Sequence, residues 1–576
     1  MKILKIDLNT HSITTENIDK TVCRDFIGGK GVAGYYLKTH ITKAWDDPTM
    51  PLIFMCGPLV GTSAPTSGRS CVMSRSPLTG TICDSSVGGS LGFNIRKAGF
   101  AGLIITGKSN KLCGIEICDN SVNIVNAEKY KAWETGKLYN TLKKKGSVVS
   151  IGPAAESGVL FSNIMIDGFF CAGRGGLGMV QAAKNLKFIT VKGTLKIAVH
   201  DKDLLKKARE DILRLIAASP MIMGEHGITN FGTGALYDLI GNRRMMPTDN
   251  FKKTVFQAAS NLNAFSYKRK YNTKKAGCKG CHIQCKRVGK NREHIPEFET
   301  MSHFSALINN DNIDIVTKAN RICNEQGIDT ISAASTIACY SEITQQKLSG
   351  NQIISLLEDI CKNRGKGSAL SKGSYCFAKE HGKKQLSFSV KGLELPAYDP
   401  RGACGMALAY AVATRGACHL RAYPISHEII RKPVATDRFS FDGKAIIIKI
   451  AEDINAVIDS LTACKFAFFG CSLEEFAVAY TAVTGIKTSA HELISAGERI
   501  YYNERIMNWQ NGFTRKDDSI PERFFKEDGS SGNNIKIPLI NKTIFEKALS
   551  DYYKIRGLNE NGEPTQQKAS KLGLIL

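Results

Sequence analysis

The stretch Ala172-Gly-Arg-Gly-Gly-Leu-Gly178 lies between an apolar segment and a predicted helix. Together with the residues that follow it, this stretch decides whether the chain has a dinucleotide-binding fold. Its GxGxxG spacing is typical of loops that direct backbone N–H groups and a helix N-terminus at a phosphate. A dinucleotide-binding fold also needs an acidic residue about 20 positions further on, at the end of the next strand. The segment there, Phe188-Ile-Thr-Val-Lys192, ends in a lysine. We therefore exclude a Rossmann fold and keep phosphate binding, to which Arg174 and Gly175 would contribute.

The hydrophobic pattern changes twice along the chain. Residues 1–200 contain short apolar runs separated by turn residues, which is typical of β-structure. Residues 201–395 carry apolar residues at three- and four-residue spacing, which is typical of helices. Residues 396–576 combine glycine-rich loops with helical segments, and the polar stretch after residue 510 is predicted to wrap the surface. We predict an α+β fold with a β-rich N-terminal region, in which helices of the later regions cover Asp203–Ala217, Asp314–Asn324, Ile353–Lys362, Lys444–Leu461 and Leu473–Val483.

The composition of the 576 residues is that of a folded globular protein, with 43% hydrophobic and 23% charged residues. Disordered, collagenous and coiled-coil proteins are therefore excluded, and no apolar run approaches the roughly 18 residues of a membrane span. The N-terminus reads as a strand rather than a secretion signal, so we expect a cytoplasmic enzyme. The net charge of +24 attracts anions, but the cations are spread along the chain without a basic-aromatic signature. We therefore do not expect nucleic-acid binding.

The strongest local motif is Ala276-Gly-Cys278-Lys-Gly-Cys281-His-Ile-Gln-Cys285. Three thiolates at this spacing can hold one corner of a metal site, which then needs a fourth ligand from elsewhere in the chain. Zinc, completed by His282 or by a distant cysteine, and an iron–sulfur cluster both satisfy the spacing. The other cysteines are scattered, and most of them are expected to be reduced and buried.

Several polar segments stand where core residues would be expected. Ser67–Arg69, Ser74–Gly80 and Asp84–Gly89 combine arginine, hydroxyl groups and glycine, which favours a polar ligand over a long solvated loop. Gly29-Lys-Gly-Val-Ala-Gly34 also has the GxGxxG spacing, and a tight turn that needs glycine for steric reasons is an equal alternative to phosphate binding there.

His419 lies between Arg415 and Arg421 in a glycine-containing loop. Like charges disfavour protonation, so we expect the imidazole to stay neutral. A neutral imidazole beside an anionic site is a useful acid–base group, and a purely structural histidine is the alternative.

In chain order, these segments resemble the tungsten-dependent aldehyde:ferredoxin oxidoreductase family. The resemblance begins at Phe26 and leaves only the segment after about residue 510 uninformative. The residues that carry it are Phe26-Ile-Gly-Gly-Lys-Gly31, Ser67-Gly-Arg69, Ser76-Pro-Leu-Thr-Gly80, Gly99-Phe-Ala-Gly-Leu-Ile-Ile-Thr-Gly-Lys108, Ala172–Gly178, Lys184-Asn-Leu-Lys187, Cys278/Cys281/Cys285, Pro296-Glu-Phe-Glu-Thr300, Glu394-Leu-Pro-Ala-Tyr-Asp-Pro-Arg401 and Cys418-His-Leu-Arg421.

The resemblance implies a tungsten, less often molybdenum, bis-pyranopterin cofactor with its phosphates joined through Mg2+, beside one [4Fe–4S] cluster. It implies a β-rich base under the pterins (residues 1–200), a mostly helical domain with three cluster cysteines (201–395) and a mostly helical domain with the catalytic histidine and the fourth cysteine (396–576). Together with the polar segments above, it predicts Glu299 and His419 as catalytic residues, Cys278, Cys281, Cys285 and Cys464 as cluster ligands, and Arg69, Ser86, Gly88, Gly89, Arg174, Gly175, Asn324, Gly327, Asp329, Asp459 and Lys465 as cofactor-binding residues.

Some positions depart from the family pattern or stay open. Glu297 would share a face with Glu299 on an extended segment, so the choice of Glu299 rests on the resemblance. Thr462 stands where the family usually has glycine, and Asn324 where it has aspartate. Lys318 and Arg321 occupy the place of a Glu-x-x-His pair that binds iron between subunits in some members, so we predict no such iron here.

The activity implied is the oxidation of an aldehyde to a carboxylic acid, with electrons leaving singly through the cluster to ferredoxin or a ferredoxin-like iron–sulfur subunit. A homo-oligomer is compatible with this interpretation. A first alternative keeps the cofactor but makes the chain the catalytic subunit of a related complex, such as an aromatic acyl-thioester reductase. A second is a zinc-stabilised binding protein for an anionic ligand.

Overall fold

The computed structural model describes residues 2–576, except for the side chain of Asn291. The region up to residue 192 contains two six-stranded sheets, so the predicted β-rich N-terminal region is confirmed. Its strands are β1 (Lys2–Asp7), β2 (Ile13–Asn17), β3 (Leu52–Met55), β4 (Ser70–Arg75), β5 (Ile82–Val87), β6 (Phe100–Thr106), β7 (Cys113–Cys118), β8 (Ser121–Asn126), β9 (Ser147–Ser150), β10 (Ile164–Ile166), β11 (Phe170–Ala172) and β12 (Leu186–Lys192).

The strand order is β2-β1-β6-β3-β4-β5 in the first sheet and β11-β10-β9-β12-β7-β8 in the second. β1 and β6 are parallel, with Leu4 opposite Leu103, whereas β3, β4 and β5 pair in antiparallel fashion. Every side chain of β3 is buried, as expected for an apolar strand covered on both faces. In the β4–β5 pair Cys71 lies opposite Ser86, which places Arg69 and Gly88 at the same end of the sheet.

Helices dominate the rest of the described chain. The helices predicted from periodicity are confirmed, with bounds that differ by at most three residues. The helices are α1 (Lys20–Phe26), α2 (Gly29–Leu37), α3 (Leu91–Lys97), α4 (Thr135–Leu142), α5 (Pro153–Glu156), α6 (Leu177–Ala183), α7 (Lys202–Ala218), α8 (Pro220–Met223), α9 (Ile228–Phe231), α10 (Ala235–Asn242), α11 (Ala264–Tyr271), α12 (Phe298–His303), α13 (Ile313–Gln326), α14 (Thr330–Thr344), α15 (Gly350–Cys361), α16 (Lys366–Leu370), α17 (Ser374–Glu380), α18 (Cys404–Val412), α19 (Ile425–Glu428), α20 (Lys444–Leu461), α21 (Leu473–Thr484), α22 (Ala490–Gln510), α23 (Arg523–Lys526), α24 (Lys542–Arg556) and α25 (Gln566–Lys571), with two short hairpins, β13 (Lys274–Ala276) with β14 (Lys286–Val288) and β15 (Ser389–Val390) with β16 (Leu393–Glu394).

The prediction that the segment after residue 510 wraps the surface is wrong for α24. This helix packs on α20, and its Phe545, Tyr552 and Arg556 side chains are fully buried. The polar composition misled the interpretation because the buried polar groups of α24 find charged partners on α20. Arg556 Nη2 lies 2.7 Å from Glu452 Oε2, and the Tyr552 hydroxyl donates to the same oxygen at 2.7 Å.

The N-terminus of α2 approaches the C-terminus of α20 closely. A Cβ at Gly29, whose φ is +36°, would lie 2.6 Å from the carbonyl oxygens of Asp459 and Ser460. The Gly31 N–H donates to Ser460 Oγ at 3.0 Å. These contacts favour the steric explanation of the Gly29–Gly34 motif over phosphate binding, since the glycines permit a close helix approach.

Residues 193–201 connect the sheets to the helical part of the chain without helix or strand, and most of them are exposed. The domain boundaries near residues 200 and 395 stay predictions. Within residues 2–576, no helix is both long and apolar enough to cross a bilayer.

Candidate functional site

The cysteine triplet lies in the loop between β13 and β14. The Cys281 N–H donates to the Cys278 carbonyl at 3.1 Å, and Ala276 bridges to Cys285. The loop rests on the end of β5 in the first sheet. A Cβ at Gly88 would lie 2.5 Å from Cys278 Sγ, so only glycine permits this contact.

Cys464, three residues beyond the C-terminal end of α20, lies beside the segment that contains Arg69. Its N–H donates to the Thr66 carbonyl at 3.0 Å, three residues before Arg69. Burial raises the pKa of the Cys464 thiol to about 11, with Arg69 opposing and Cys281 and Cys278 adding to the rise. The fourth predicted ligand is therefore an electrostatic neighbour of the triplet.

Arg69 is the cation among these thiols. Burial would lower its pKa, but Cys464, Cys278 and Cys285 hold it above its ordinary value. The guanidinium is fixed by Ser86, whose Oγ accepts from Nε at 2.8 Å and whose carbonyl accepts from Nη2 at 2.5 Å. In the described part of the chain, no three histidine, cysteine or acidic side chains are arranged to hold a metal ion.

Asp459, near the end of α20, lies in a buried network of charges. Lys465 Nζ is 2.9 Å from Asp459 Oδ2, and Arg421 Nη1 is 4.0 Å from the same oxygen. Arg421 also binds Asp84 through both terminal nitrogens. Burial alone would raise the pKa of Asp84, but Arg421 and Lys30 hold it well below its ordinary value.

Glu299 and His419 face each other, with Glu299 Oε1 3.5 Å from His419 Nε2. The other carboxylate oxygen of Glu299 accepts from the Ala397 N–H at 2.8 Å. Burial raises the pKa of Glu299 to about 8, although the Ala397 hydrogen bond and Arg174 oppose the rise. Burial, then the charges of Arg174 and Arg415, lower the pKa of His419 well below its ordinary value. The expectation of a neutral imidazole is confirmed, with burial as the largest cause.

The expectation that Glu297 and Glu299 share an extended face is wrong. Helix α12 begins at Phe298, with Glu297 as its N-cap and Glu299 in its first turn, so the two side chains diverge. Glu297 pairs with Lys286 at 2.8 Å, beside the cysteine loop. Only Glu299 contacts the loop of His419 in this arrangement.

Arg174 links the second sheet to the helical part. Its Nε is 3.1 Å from Asp329 Oδ2, its Nη1 donates to the Ala417 carbonyl at 3.1 Å, and its Nη2 donates to the Glu394 carbonyl at 2.8 Å. Asp329 is also the N-cap of α14, accepting from the Ile331 N–H. Three of the five guanidinium N–H groups thus bind protein oxygens. One of these oxygens is the carbonyl of Ala417, two residues before His419.

The remaining predicted residues lie on close backbone contacts. Gly175, at φ +78°, adjoins Cys83, because a Cβ there would lie 2.3 Å from the Cys83 sulfur. Gly327 ends α13 in the left-handed conformation against Gly152, and the Asn324 carbonyl accepts from Thr135 Oγ1 at 2.8 Å. Gly89, at φ +103°, adjoins Asp167. The structure brings Asp329, at the end of the Asn324–Asp329 segment, to Arg174, and the Asp459–Lys465 segment to Arg69.

Sequence reasoning missed several members of this site. Asp84, Lys30 and Glu504 complete the network around Arg421, with Lys30 Nζ 2.7 Å from Glu504 Oε1. A lysine inside a glycine-rich apolar helix was the available signal for Lys30, because such a side chain needs a buried anion. Asp84 lies in the polar segment Asp84–Gly89, which predicts a ligand-facing position but not its pairing with Arg421. Glu504 had no local signal, since its partners come from distant segments.

The lowered pKa of the Cys418 thiol was also missed. Its Sγ accepts hydrogen bonds from Arg415 Nε at 3.1 Å and Nη2 at 3.0 Å. Burial alone would raise the pKa of Cys418, but Arg415 and Arg421 hold it below its ordinary value. The spacing of Arg415, Cys418 and Arg421 was visible in the sequence, but it was interpreted for His419 alone.

The fold and site define a class: a large α+β protein with a buried polar centre around Glu299 and His419 and with cysteine thiols from two distant segments beside Arg69. The family "Aldehyde ferredoxin oxidoreductase" matches with its N-terminal domain over residues 3–193 and with its domains 2 and 3 over residues 207–574. The chain therefore belongs to the aldehyde ferredoxin oxidoreductase family.

Individual relatives agree with this assignment. The chain is 32% identical to the tungsten-containing aldehyde ferredoxin oxidoreductase of Pyrococcus furiosus and 33% identical to that of Thermococcus kodakarensis, each alignment covering 100% of this chain and 98% of the relative. It is 23% identical to the aliphatic sulfonate oxidoreductase, WOR-like subunit, of Pyrococcus furiosus, covering 100% and 96%. The active site complex BamBC of benzoyl coenzyme A reductase has the same fold, with a TM-score of 0.85 at 21% identity and coverage of 100% and 96%.

The family implies a tungsten pterin cofactor and an iron–sulfur cluster, and the residues present fit both groups. Among the described residues, Asp459 Oδ1, Arg421 Nε, Glu299 Oε1 and His419 Nδ1 are buried polar atoms without a hydrogen-bond partner in the protein. Buried polar groups are normally hydrogen-bonded, so these atoms suit a polar ligand. The four thiols around Arg69 are the ligand type that an iron–sulfur cluster needs.

Proposed function

We propose that this chain oxidises aldehydes to carboxylic acids at a tungsten or molybdenum bis-pyranopterin centre and passes the electrons singly through a [4Fe–4S] cluster to ferredoxin. The observation that carries the proposal is that two distant segments bring cysteines to either side of Arg69: the Cys278 sulfur lies against Gly88, and the Cys464 N–H donates to the Thr66 carbonyl at 3.0 Å. Cys278, Cys281 and Cys285 are the proposed cluster ligands from one segment, and Cys464 is the fourth. Arg69 connects this site through Ser86 to the first sheet.

Two segments would hold the pterins. The first is Asn324–Asp329, where Asp329 is bound to Arg174, and the second is Asp459–Lys465, where Asp459 keeps one oxygen unpartnered. Arg69 and Arg174 would supply cationic N–H donors for the phosphates of the pterins, and Mg2+ would neutralise part of the remaining phosphate charge. When bound, the metal centre would supply the two-electron acceptor. The residues proposed to bind the pterins at the ends of the sheets are Arg69, Ser86, Gly88, Gly89, Arg174 and Gly175.

Glu299 is the proposed base for the water that adds to the aldehyde. The Ala397 N–H occupies Oε2, so Oε1 is the oxygen free to take a proton, and it faces His419. A carboxylate with a pKa near 8 is a stronger base than an ordinary one, because burial disfavours its charged form. Neutral His419 faces the same oxygen, and its Nδ1, which has no protein partner, can hydrogen-bond the reacting oxygen and orient it.

The experiment compares Glu299→Gln with Glu297→Gln in anaerobically purified protein. We expect Glu299→Gln to lower aldehyde-dependent dye reduction by at least about 100-fold, the usual range for a lost general base, at unchanged iron and tungsten content. Wild-type protein should hold about four iron atoms and one tungsten or molybdenum per chain. If Glu299→Gln keeps full turnover, or if Glu297→Gln alone loses it, the proposed general base is Glu297 and not Glu299. Zinc in place of both metals would support the binding-protein alternative.

One observation favours the related-complex alternative as a second candidate. Aromatic rings extend away from His419: Tyr423 lies 6.0 Å from it between ring centroids, and Phe469 lies 6.1 Å from Tyr423. Tyr398 completes the group at 5.4 Å from His419. Such rings would suit an aromatic acyl group. Turnover of simple aliphatic aldehydes with a dye acceptor supports the first candidate, whereas reduction of an aromatic thioester without aldehyde activity supports the second.

A further inference from the structure

The segment from Asn250 to Arg292 contains twelve lysine and arginine residues and no aspartate or glutamate. It includes Cys278, Cys281 and Cys285, the proposed ligands nearest one another in sequence. The rest of the chain mixes both signs of charge, since it contains all 53 acidic residues. The positive field of this protein is therefore concentrated beside the cysteine loop.

Some of these cations serve the fold. Lys286 pairs with Glu297, Lys270 with Asp314, and Arg287 donates to the backbone carbonyls of residues 228–230. Eight of the others are exposed, and in residues 2–576 none of the eight lies within ion-pair distance of a carboxylate. Five of these eight lie on the stretch that leads from α11 into the cysteine loop, and we call them the basic rim: Lys268, Arg269, Lys274, Lys275 and Lys279.

An aromatic side chain stands beside the basic rim. Phe265, on α11, is 47% exposed. Its ring centroid lies 4.5 Å from that of Phe231 and 5.7 Å from that of His226. Lys268 Nζ lies 4.9 Å from the Phe231 ring centroid, so cation and aromatic group form one surface.

This surface is tied directly to the cysteine loop. A Cβ at Gly232, next to Phe231, would lie 2.7 Å from the Cys285 carbonyl oxygen. Thr229 Oγ1 donates to the Ile283 carbonyl at 3.0 Å, and Arg287 Nη2 donates to the Ile228 carbonyl at 3.2 Å. The exposed ring and the proposed cluster ligands therefore belong to one connected unit.

We propose that Phe265 and the basic rim form the docking surface for an acidic one-electron carrier protein. This inference rests on the proposed function and assigns the place where its electrons leave. An aromatic anchor surrounded by cations fits a partner with an acidic surface around an apolar depression. Oxidation of one aldehyde with water yields one carboxylic acid, two protons and two electrons, so two iron–sulfur carriers are each reduced once.

The test replaces Arg269, Lys274 and Lys275 together with glutamate and compares this variant with Lys131→Glu/Lys143→Glu/Lys144→Glu. The second set also consists of exposed lysines and changes the net charge equally, but lies in the β-rich region. The probe is an acidic bacterial ferredoxin. Its affinity is measured by calorimetry without substrate, and its reduction rate with aldehyde at about 20 mM and about 300 mM salt.

We expect the rim variant to lose at least about tenfold in ferredoxin affinity and in reduction rate at low salt, with a smaller loss at high salt. Phe265→Ala should lose affinity at both salt concentrations, because burial of the ring is not screened. The control variant should stay within about twofold of wild type, and all variants should reduce a small neutral dye at the wild-type rate.

Equal losses in the rim and control variants would overturn the proposal in favour of the overall charge of the molecule. Unchanged ferredoxin affinity in the rim variant would overturn it outright. If wild-type protein shows no aldehyde-dependent dye reduction, the proposed function fails, and the calorimetric affinities still decide whether this surface binds the carrier.

Discussion

At the residue scale, Glu299 shows how its surroundings select one carboxylate from two that are nearly adjacent. Glu297 faces Lys286, and that ammonium holds the pKa of Glu297 below its ordinary value against the opposing effect of burial. Glu299 is buried without a cation at bonding distance, and its pKa rises to about 8. One carboxylate is therefore kept charged, and the other is poised to exchange a proton near neutral pH.

The pKa of Glu299 predicts the pH dependence of turnover. If the charged form is the base, kcat/KM should rise with pH through about 8 and level off above it, so that at pH 7 only about a tenth of the plateau is reached. Initial rates with a dye acceptor between pH 6 and 9.5 measure this. His419 should add no second change of rate in this pH range, because its pKa is held well below the ordinary value of an imidazole. A flat profile would remove Glu299 as the base.

At the element scale, the pairing of α20 with α24 is decided by buried charges. Arg556, at the end of α24, binds both Glu452 and Asp453 of α20. The hydroxyl of Tyr501, on α22, donates to Glu452 at 2.7 Å. Asp459 lies in the last turn of α20, and Cys464 follows three residues after its end at Leu461, so this network also sets the position of the proposed pterin and cluster residues.

Arg556→Ala tests this pairing. The substitution leaves Glu452 buried without a cation, whereas Asp453 keeps its pair with Lys449 at 2.7 Å, and we expect the free energy of unfolding to fall by about 3–5 kcal/mol. Urea unfolding followed by tryptophan fluorescence measures the change. Lys554→Ala on the exposed face of the same helix is the matched control and should change stability by less than about 0.5 kcal/mol. An Arg556→Ala protein as stable as the control would show that the network does not hold α24 in place.

At the scale of the whole molecule, the proposed centre joins three parts of the chain. The first sheet supplies Arg69 and Gly88, the loop between β13 and β14 supplies three thiols, and the segment after α20 supplies Cys464. A group bound by all three parts stabilises their association, because it binds the folded arrangement and not the unfolded chain.

Cys464→Ala should therefore change both metal content and stability. We expect iron to fall from about four atoms per chain to about three or fewer, and the unfolding temperature to fall with it. Elemental analysis and calorimetry of anaerobically purified protein measure the two effects. Cys118→Ala, an exposed cysteine at the end of β7, should change neither. Retention of four iron atoms in Cys464→Ala would exclude Cys464 as a cluster ligand.

The features of this protein that could be predicted are those that depend on local sequence patterns. Apolar spacing predicted α7, α13, α15, α20 and α21, because a helix repeats its buried face every three to four residues. The missing acidic residue after β12 excluded a Rossmann fold, and motif order identified the family. The site residues named from that order stay predictions, although Glu299 and His419 do lie within 3.5 Å of each other.

The sequence by itself thus determined the α+β class, the positions of the main helices, the family and a cysteine triplet with metal-ligand spacing. The tertiary structure alone decided that Glu299 and not Glu297 faces His419, that Asp84, Lys30 and Glu504 surround Arg421, and that α24 is buried. The physical reason is the distance along the sequence over which each kind of interaction acts. Periodicity and capping act between neighbouring residues, whereas a buried charge is stable only beside a partner that folding brings from a distant segment.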